Sequence, residues 1–195
     1  KRLKTAIKAK EQIIIFGDYD ADGICGTAIL WETLNEMSAN VMPYIPNRLE
    51  EGYGLSINGI EGLLKKYKDT KLIITVDNGI VASPGVDFAN SLGIDVIITD
   101  HHVPGKKLPK AFSIIHSTKV CGAGVAWFLS RFLEERILDT ARGPATRFPP
   151  ASARRRFTRL RAVGSPSTPV TPREFKQLDL VAIATVADLV PLLGP

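Results

Sequence analysis

The chain has 195 residues, 45% of them apolar and 23% charged, which is the size and balance of a globular domain with a sizeable core. No apolar run reaches the ~18–20 residues of a membrane span, so a membrane-spanning reading is excluded. The basic opening stretch "KRLKTAIKAKEQIIIFGDYD" reads as running straight into a strand, with no small-residue cleavage site. Two cysteines, Cys25 and Cys121, are too few for a disulfide framework, and a reduced, cytoplasmic setting is expected. The net charge of +5 is uneven: residues 140–173 hold eight arginines and no acid, and subtracting them leaves the rest of the chain at −3.

In chain order, "QIIIFGD" (12–18) is the first apolar run that ends in an aspartate, and "KLIITVD" (71–77) and "DVIITD" (95–100) repeat the pattern. Such short, non-alternating Ile/Val runs fit parallel strands covered on both faces. "VMPYI" (41–45) and "FSII" (112–115) add two more strands, and Pro43 places the former at an edge. Residues 23–37, 56–68, 83–92, 122–138 and 174–188 read as helices. The expected fold is α/β, a mainly parallel five-stranded sheet flanked by helices. Residues 140–173, with six of the thirteen prolines and no apolar period, read as an Arg/Pro-rich insertion or loop that divides a lobe of 1–139 and 174–195.

Ligands of parallel α/β sheets bind at the carboxyl ends of the strands. The three strand-end aspartates Asp18, Asp77 and Asp100, with Asp20, Asp22 and the pair His101–His102, therefore bring five carboxylates and two imidazoles to one edge. Unpaired, they would repel and raise one another's pKa values. Divalent cations remove that penalty, and this ligand mixture suits Mn2+ or Mg2+. Two ions about 3.5–4 Å apart, sharing a carboxylate, suit phosphoester hydrolysis. Two plainer readings compete: Asp22 as a helix N-cap, and "DxDxD" as a calcium loop, which would need a Glu where Ile29 stands. Arg48 could fork onto a phosphate or make a surface salt bridge with Glu50 or Glu51. "CGAG" (121–124) opens a helix, so Gly122 and Gly124 could offer N–H groups to an anion or simply pack a tight loop. His116 is isolated and receives no role.

"GDYDADG", "TVDNG", "TDHH" and "ATVADLVPL", in this order, resemble the four motifs of the DHH phosphoesterase superfamily. "YIPNRLEEGYGLS", "ITDHHVPG" and "CGAGVAWFL" resemble its RecJ branch of single-strand-specific exonucleases. The resemblance covers roughly 11–138 and 176–193. It implies two metal ions held by Asp20, Asp22, Asp77, His101 and Asp188, with Asp77 bridging and Asp18 in or beside the ligand shell. It also implies that Asp100 accepts hydrogen bonds from the histidines and that His102 meets the scissile phosphate. Asp188 would not be chosen from its surroundings, because a carboxylate near a helix C-terminus opposes the dipole. The implied activity is 5′→3′ degradation of single-stranded DNA in recombination and repair. Hydrolysis of short oligonucleotides, cyclic dinucleotides or pyrophosphate, and a non-catalytic single-strand-binding scaffold, are the alternatives. Single-stranded DNA is the expected partner, with no membrane and no small-molecule organic cofactor; the sequence is silent on oligomeric state. Against the family pattern, the C-terminal DHH-associated and oligonucleotide-binding domains are expected to be absent.

Overall fold

Five runs of β-branched and aliphatic residues pair into one all-parallel sheet in a computed structural model that describes residues 1–138 and 176–189. The strands are β1 (Gln12–Phe16), β2 (Val41–Tyr44), β3 (Thr70–Val76), β4 (Asp95–Asp100) and β5 (Ser113–His116), in spatial order β2-β1-β3-β4-β5. β1 is flanked by β2 (Ile13 opposite Val41) and β3 (Ile14 opposite Ile73), while β4 pairs with β3 and β5. Pro43 lies on the edge strand β2, as expected for a residue that cannot donate to a ladder.

The strands do not alternate in sequence because both faces are buried. On one face Ile13, Ile15, Leu72, Ile74 and Ile97 pack under α1 (Arg2–Ala9), α2 (Ala21–Glu36) and α6 (Gly122–Leu133). On the other, Ile14, Phe16, Ile73, Val96 and Ile98 pack under α4 (Ile57–Lys66) and α5 (Ser83–Ser91). A one-turn helix α3 (Arg48–Glu51) follows β2, and α7 (Leu178–Ala187) docks on α2 and α6.

The structure departs from the sequence reading in four places. The N-terminus does not run directly into β1: α1 precedes it, burying Leu3 and Ala6 and ending where Lys10 turns left-handed at φ 55°. The loop expected around Arg48 holds the single turn α3, capped by the Asn47 side chain. The helix expected over 122–138 is α-helical to Leu133 and continues as a π-helical turn, Glu134–Leu138. The last helix is shorter than 174–188, and the proposed insertion at 140–173 lies outside the described residues. Among the described residues, no helix is long and apolar enough to cross a membrane.

Candidate metal centre

The spatial order reverses between β1 and β3, and at such a switch point the loops diverge and leave a crevice at the carboxyl ends. The acidic motifs fall there. After β1, Asp20 adopts an extended conformation and accepts the Gly23 N–H at 2.9 Å, so Asp20, and not Asp22, is the N-cap of α2. Gly23 lets the helix close on the loop, since a Cβ there would stand 2.6 Å from the Asp18 backbone nitrogen.

Asp22 points across to α6. Its buried carboxylate accepts the N–H of Gly122 at 2.6 Å and of Ala123 at 2.7 Å, and Cys121 supplies no side-chain cap of its own. The anion at this helix N-terminus is thus the protein's own aspartate, held by the free donors and the dipole. This bears on the substrate-binding expectation for Gly122. The Gly122 N–H is already taken, and a Cβ on Gly122 would lie 2.6 Å from Asp77 Oδ1. Gly124 packs against Val120, where a Cβ would approach to 3.0 Å, the tight-loop alternative.

Asp77 follows β3 in a left-handed conformation, φ 62°, and is 1% exposed. Asn78 holds that turn by donating from Nδ2 to the carbonyls of Val76 (2.8 Å) and Phe16 (3.2 Å), tying the ends of β3 and β1 together. Asp100, the last residue of β4, accepts from the Ile80 N–H on Oδ2. Its Oδ1 accepts from the N–H groups of His101 (2.7 Å) and His102 (3.1 Å) and meets His102 Nδ1 at 2.8 Å. Asp100 therefore orients the His102 ring and both backbone N–H groups, but not the His101 ring. Burial would raise its pKa; the donors from His102 and Ile80 outweigh burial and hold it below the usual carboxylate range.

The His101 ring turns toward the other acids. Its Nε2 lies 3.1 Å from Asp77 Oδ1 and 3.7 Å from both Asp22 Oδ2 and Asp188 Oδ2. Asp188, at the end of α7, is thus brought to the cluster from across the fold. Burial pushes the Asp77 carboxyl up to about 7, with His101 opposing and Asp22 and Asp20 adding to the rise. Burial, then Asp20, lifts Asp18 to about 6, and burial also raises Asp188. His102 rises to about 9 through Asp100, and His101 rises through its closeness to Asp77. Protons compensate the crowding of negative charge.

Two atoms of the cluster are left without an aligned hydrogen bond. Asp77 Oδ1 and His101 Nε2 are buried, and neither has a hydrogen-bond partner: the 3.1 Å approach between them is not aligned for one. Ligand atoms of three groups each lie within 4.8 Å of one another: Asp18, Asp20 and Asp77; Asp22, His101 and Asp188; Asp77, His101 and His102. Asp77 belongs to two of them. An unpartnered oxygen and ring nitrogen among converging carboxylates fit divalent cations by donor type.

Arg48 does not pair with Glu51, which instead bonds Tyr44 Oη and the Asn47 N–H. Its guanidinium stands 4.7 Å over the Tyr19 ring, close enough to lower the pKa of Asp18. Tyr53 stands close enough to Asp18 to oppose the rise of its pKa, and His116 Nε2 meets the His102 carbonyl at 2.7 Å. Sequence reasoning missed Gly23, Tyr53, Asn78, Ala123 and His116. Asn78 and Tyr53 lay inside quoted motifs, whereas the Ala123 N–H is a backbone group that no residue type announces. A groove of about 760 Å³ between Leu3, Phe112, Phe128 and Phe132 is apolar and shares no residue with the cluster.

An all-parallel sheet that gathers aspartates and histidines at its switch point defines the class as an α/β metal-site domain. The chain matches the DHH family, N-terminal domain, over residues 12–144 and belongs to that family. It is 37% identical over 200 residues to the single-stranded-DNA-specific exonuclease RecJ of Bacillus subtilis (strain 168), covering 98% of this chain and 21% of that protein. The RecJ of Escherichia coli (strain K12) is 36% identical, with 97% and 31% covered. Among solved structures, exonuclease RecJ bound to manganese superposes with a TM-score of 0.73 at 34% identity, over 99% of this chain and 43% of that one. RecJ in complex with Mn2+ from Thermus thermophilus gives 0.69 at 30% identity, over 99% and 24%. The chain spans about a fifth to a third of the length of these curated relatives. The alignments run across nearly the whole chain, whereas the motif resemblance left out residues 139–175.

Proposed function

We propose that the chain is the metal-binding lobe of a phosphodiesterase that degrades single-stranded DNA from its 5′ end, with two Mn2+ or Mg2+ ions as cofactors. The observation that carries this reading is the buried, unpartnered pair Asp77 Oδ1 and His101 Nε2 inside converging carboxylates. The RecJ relatives, bound to manganese in the solved structures, support the substrate and the metal.

Asp18, Asp20 and Asp77 would hold one ion; Asp22, His101 and Asp188, with Asp77 shared, the other. When bound, the ions supply Lewis acidity and a lowered pKa for water. The remaining work belongs to the side chains. Asp100 keeps the Nδ1 proton of His102 engaged, which leaves Nε2 to meet a phosphate oxygen. Arg48, stacked on Tyr19 beside Asp18, offers its N–H fork to a terminal phosphate. The N–H groups of Gly122 and Ala123 hold and aim the Asp22 carboxylate.

The test is hydrolysis by the full-length protein of one oligonucleotide labelled at either end, as single strand and as duplex, with Mn2+. Release of mononucleotides from the 5′ end of the single strand is expected, with loss of at least ~100-fold in Asp77→Asn. Preference for a dinucleotide or pyrophosphate over the long strand would replace the substrate assignment. Single-strand binding without cleavage would favour a scaffold.

A further inference from the structure

His116 is the residue that the site does not yet explain. The β4–β5 ladder ends where Asp100 stands opposite His116, with the Ser117 N–H reaching the Asp100 carbonyl at 3.3 Å. Beyond this rung the strands part, and residues 103–108 are exposed and belong to no helix or strand. Across the gap, His116 Nε2 lies 2.7 Å from the carbonyl oxygen of His102. A carbonyl only accepts, so this nitrogen carries the proton and the tautomer of His116 is fixed. Asp100 holds His102 by its backbone N–H and by Nδ1. The carbonyl is the third point, and it adjoins the peptide that opens the exposed loop.

We infer that His116 is a positioning residue, whose Nε2–H clamps the carbonyl of His102 and so fixes where the His102 ring stands against the phosphate. The inference rests on the reading of His102 as the phosphate-facing group. Without the clamp, the His102–Val103 peptide rotates with the loop, and the ring shares its orientation among several positions. A glutamine places its amide nitrogen at the reach of Nε2 and restores the donor; asparagine matches only Nδ1 and falls short. Nothing about the clamp requires charge on His116.

The chain has three histidines, so its imidazole nitrogen NMR spectrum resolves each one. The experiment records that spectrum on the chain, with and without Mg2+, for wild type, His116→Gln and His116→Asn. Wild type is expected to show His116 as the Nε2–H tautomer and a single sharp His102 signal. His116→Gln keeps that His102 signal, and His116→Asn broadens or shifts it while His101 stays in place. In the full-length protein, kcat on single-stranded DNA falls about fivefold in His116→Asn, KM holds, and His116→Gln recovers the loss. A His102 signal that is the same in both variants, or altered equally in both, overturns the clamp. Failure of wild type to cleave any strand would instead overturn the proposed function, because the spectrum reads the clamp without metal or turnover.

Discussion

Asp77 combines two unfavourable states: its backbone is left-handed, φ 62°, and its carboxylate is buried beside other acids. A non-glycine residue in that region costs about 1–3 kcal/mol and persists where the surroundings over-determine it. Here the Thr99 carbonyl takes its N–H and Asn78 locks the next residue onto β1 and β3. Asparagine tolerates the same backbone and removes the charge. Asp77→Asn is therefore expected to stabilise the metal-free chain at pH 8 by about 1–2 kcal/mol while abolishing stabilisation by Mn2+. Thermal melts with and without metal check both; a destabilised metal-free variant would contradict the burial cost.

The pH dependence follows from the same residues. Asp77 at about 7 and Asp18 at about 6 stand above the ordinary carboxylate value, so protonation favours the folded state. That stabilisation is complete below about pH 4 and lost as pH rises through 6 and 7. His102, raised to about 9, acts in the same direction at a higher window: its contribution holds below about pH 6.5 and disappears through 9. The metal-free melting temperature is expected to fall from pH 5 to 8, and saturating Mg2+ to flatten that fall as cations replace protons. A metal-free melting temperature that rises over this range would refute the electrostatic account.

At the scale of elements, helices α2 and α6 and the turn after β3 form one unit. The Asp22 carboxylate caps α6, and Gly122 at its first turn clears Asp77 Oδ1. Gly122→Ala forces a methyl group against that oxygen, where it would stand 2.6 Å away. A loss of about 1–3 kcal/mol is expected, with metal affinity weakened as Asp77 shifts. Chemical denaturation and metal titration of this variant measure the two effects; unchanged metal affinity would mean that Asp77 is not held by this contact. Leu3→Ala in α1, remote from the acids, is expected to cost about 2–3 kcal/mol with metal binding intact. The same denaturation experiment reads this, and an unchanged midpoint would mean that α1 does not seal the sheet.

Most of the strand order's raw material was legible: Ile13–Ile15, Leu72–Val76 and Val96–Ile98 declare parallel strands because a sheet covered on both faces leaves no polar alternation. α1 was not legible, since Leu3, Ala6 and Ile7 span only two turns in a basic stretch and their partner face exists only once the sheet forms. The strand-end aspartates announced the site through their position. The competing reading of Asp22 as the cap of α2 passes to Asp20, and the cap that Asp22 supplies to α6 was hidden because its partner N–H groups lie 100 and 101 residues away. The same distance in sequence hid the use made of Gly122.

At the scale of the whole molecule, the proposed centre needs carboxylates from the β1–α2 turn, the end of β3 and the end of α7, with His101 from the end of β4, to share two cations through Asp77. Calorimetric titration of Mn2+ into the chain and into Asp77→Ala addresses this directly. Two ions bound per wild-type chain, with both sites lost together in the variant, is the predicted result. A single ion in the wild type, or loss of only one site on removing Asp77, would contradict the shared carboxylate.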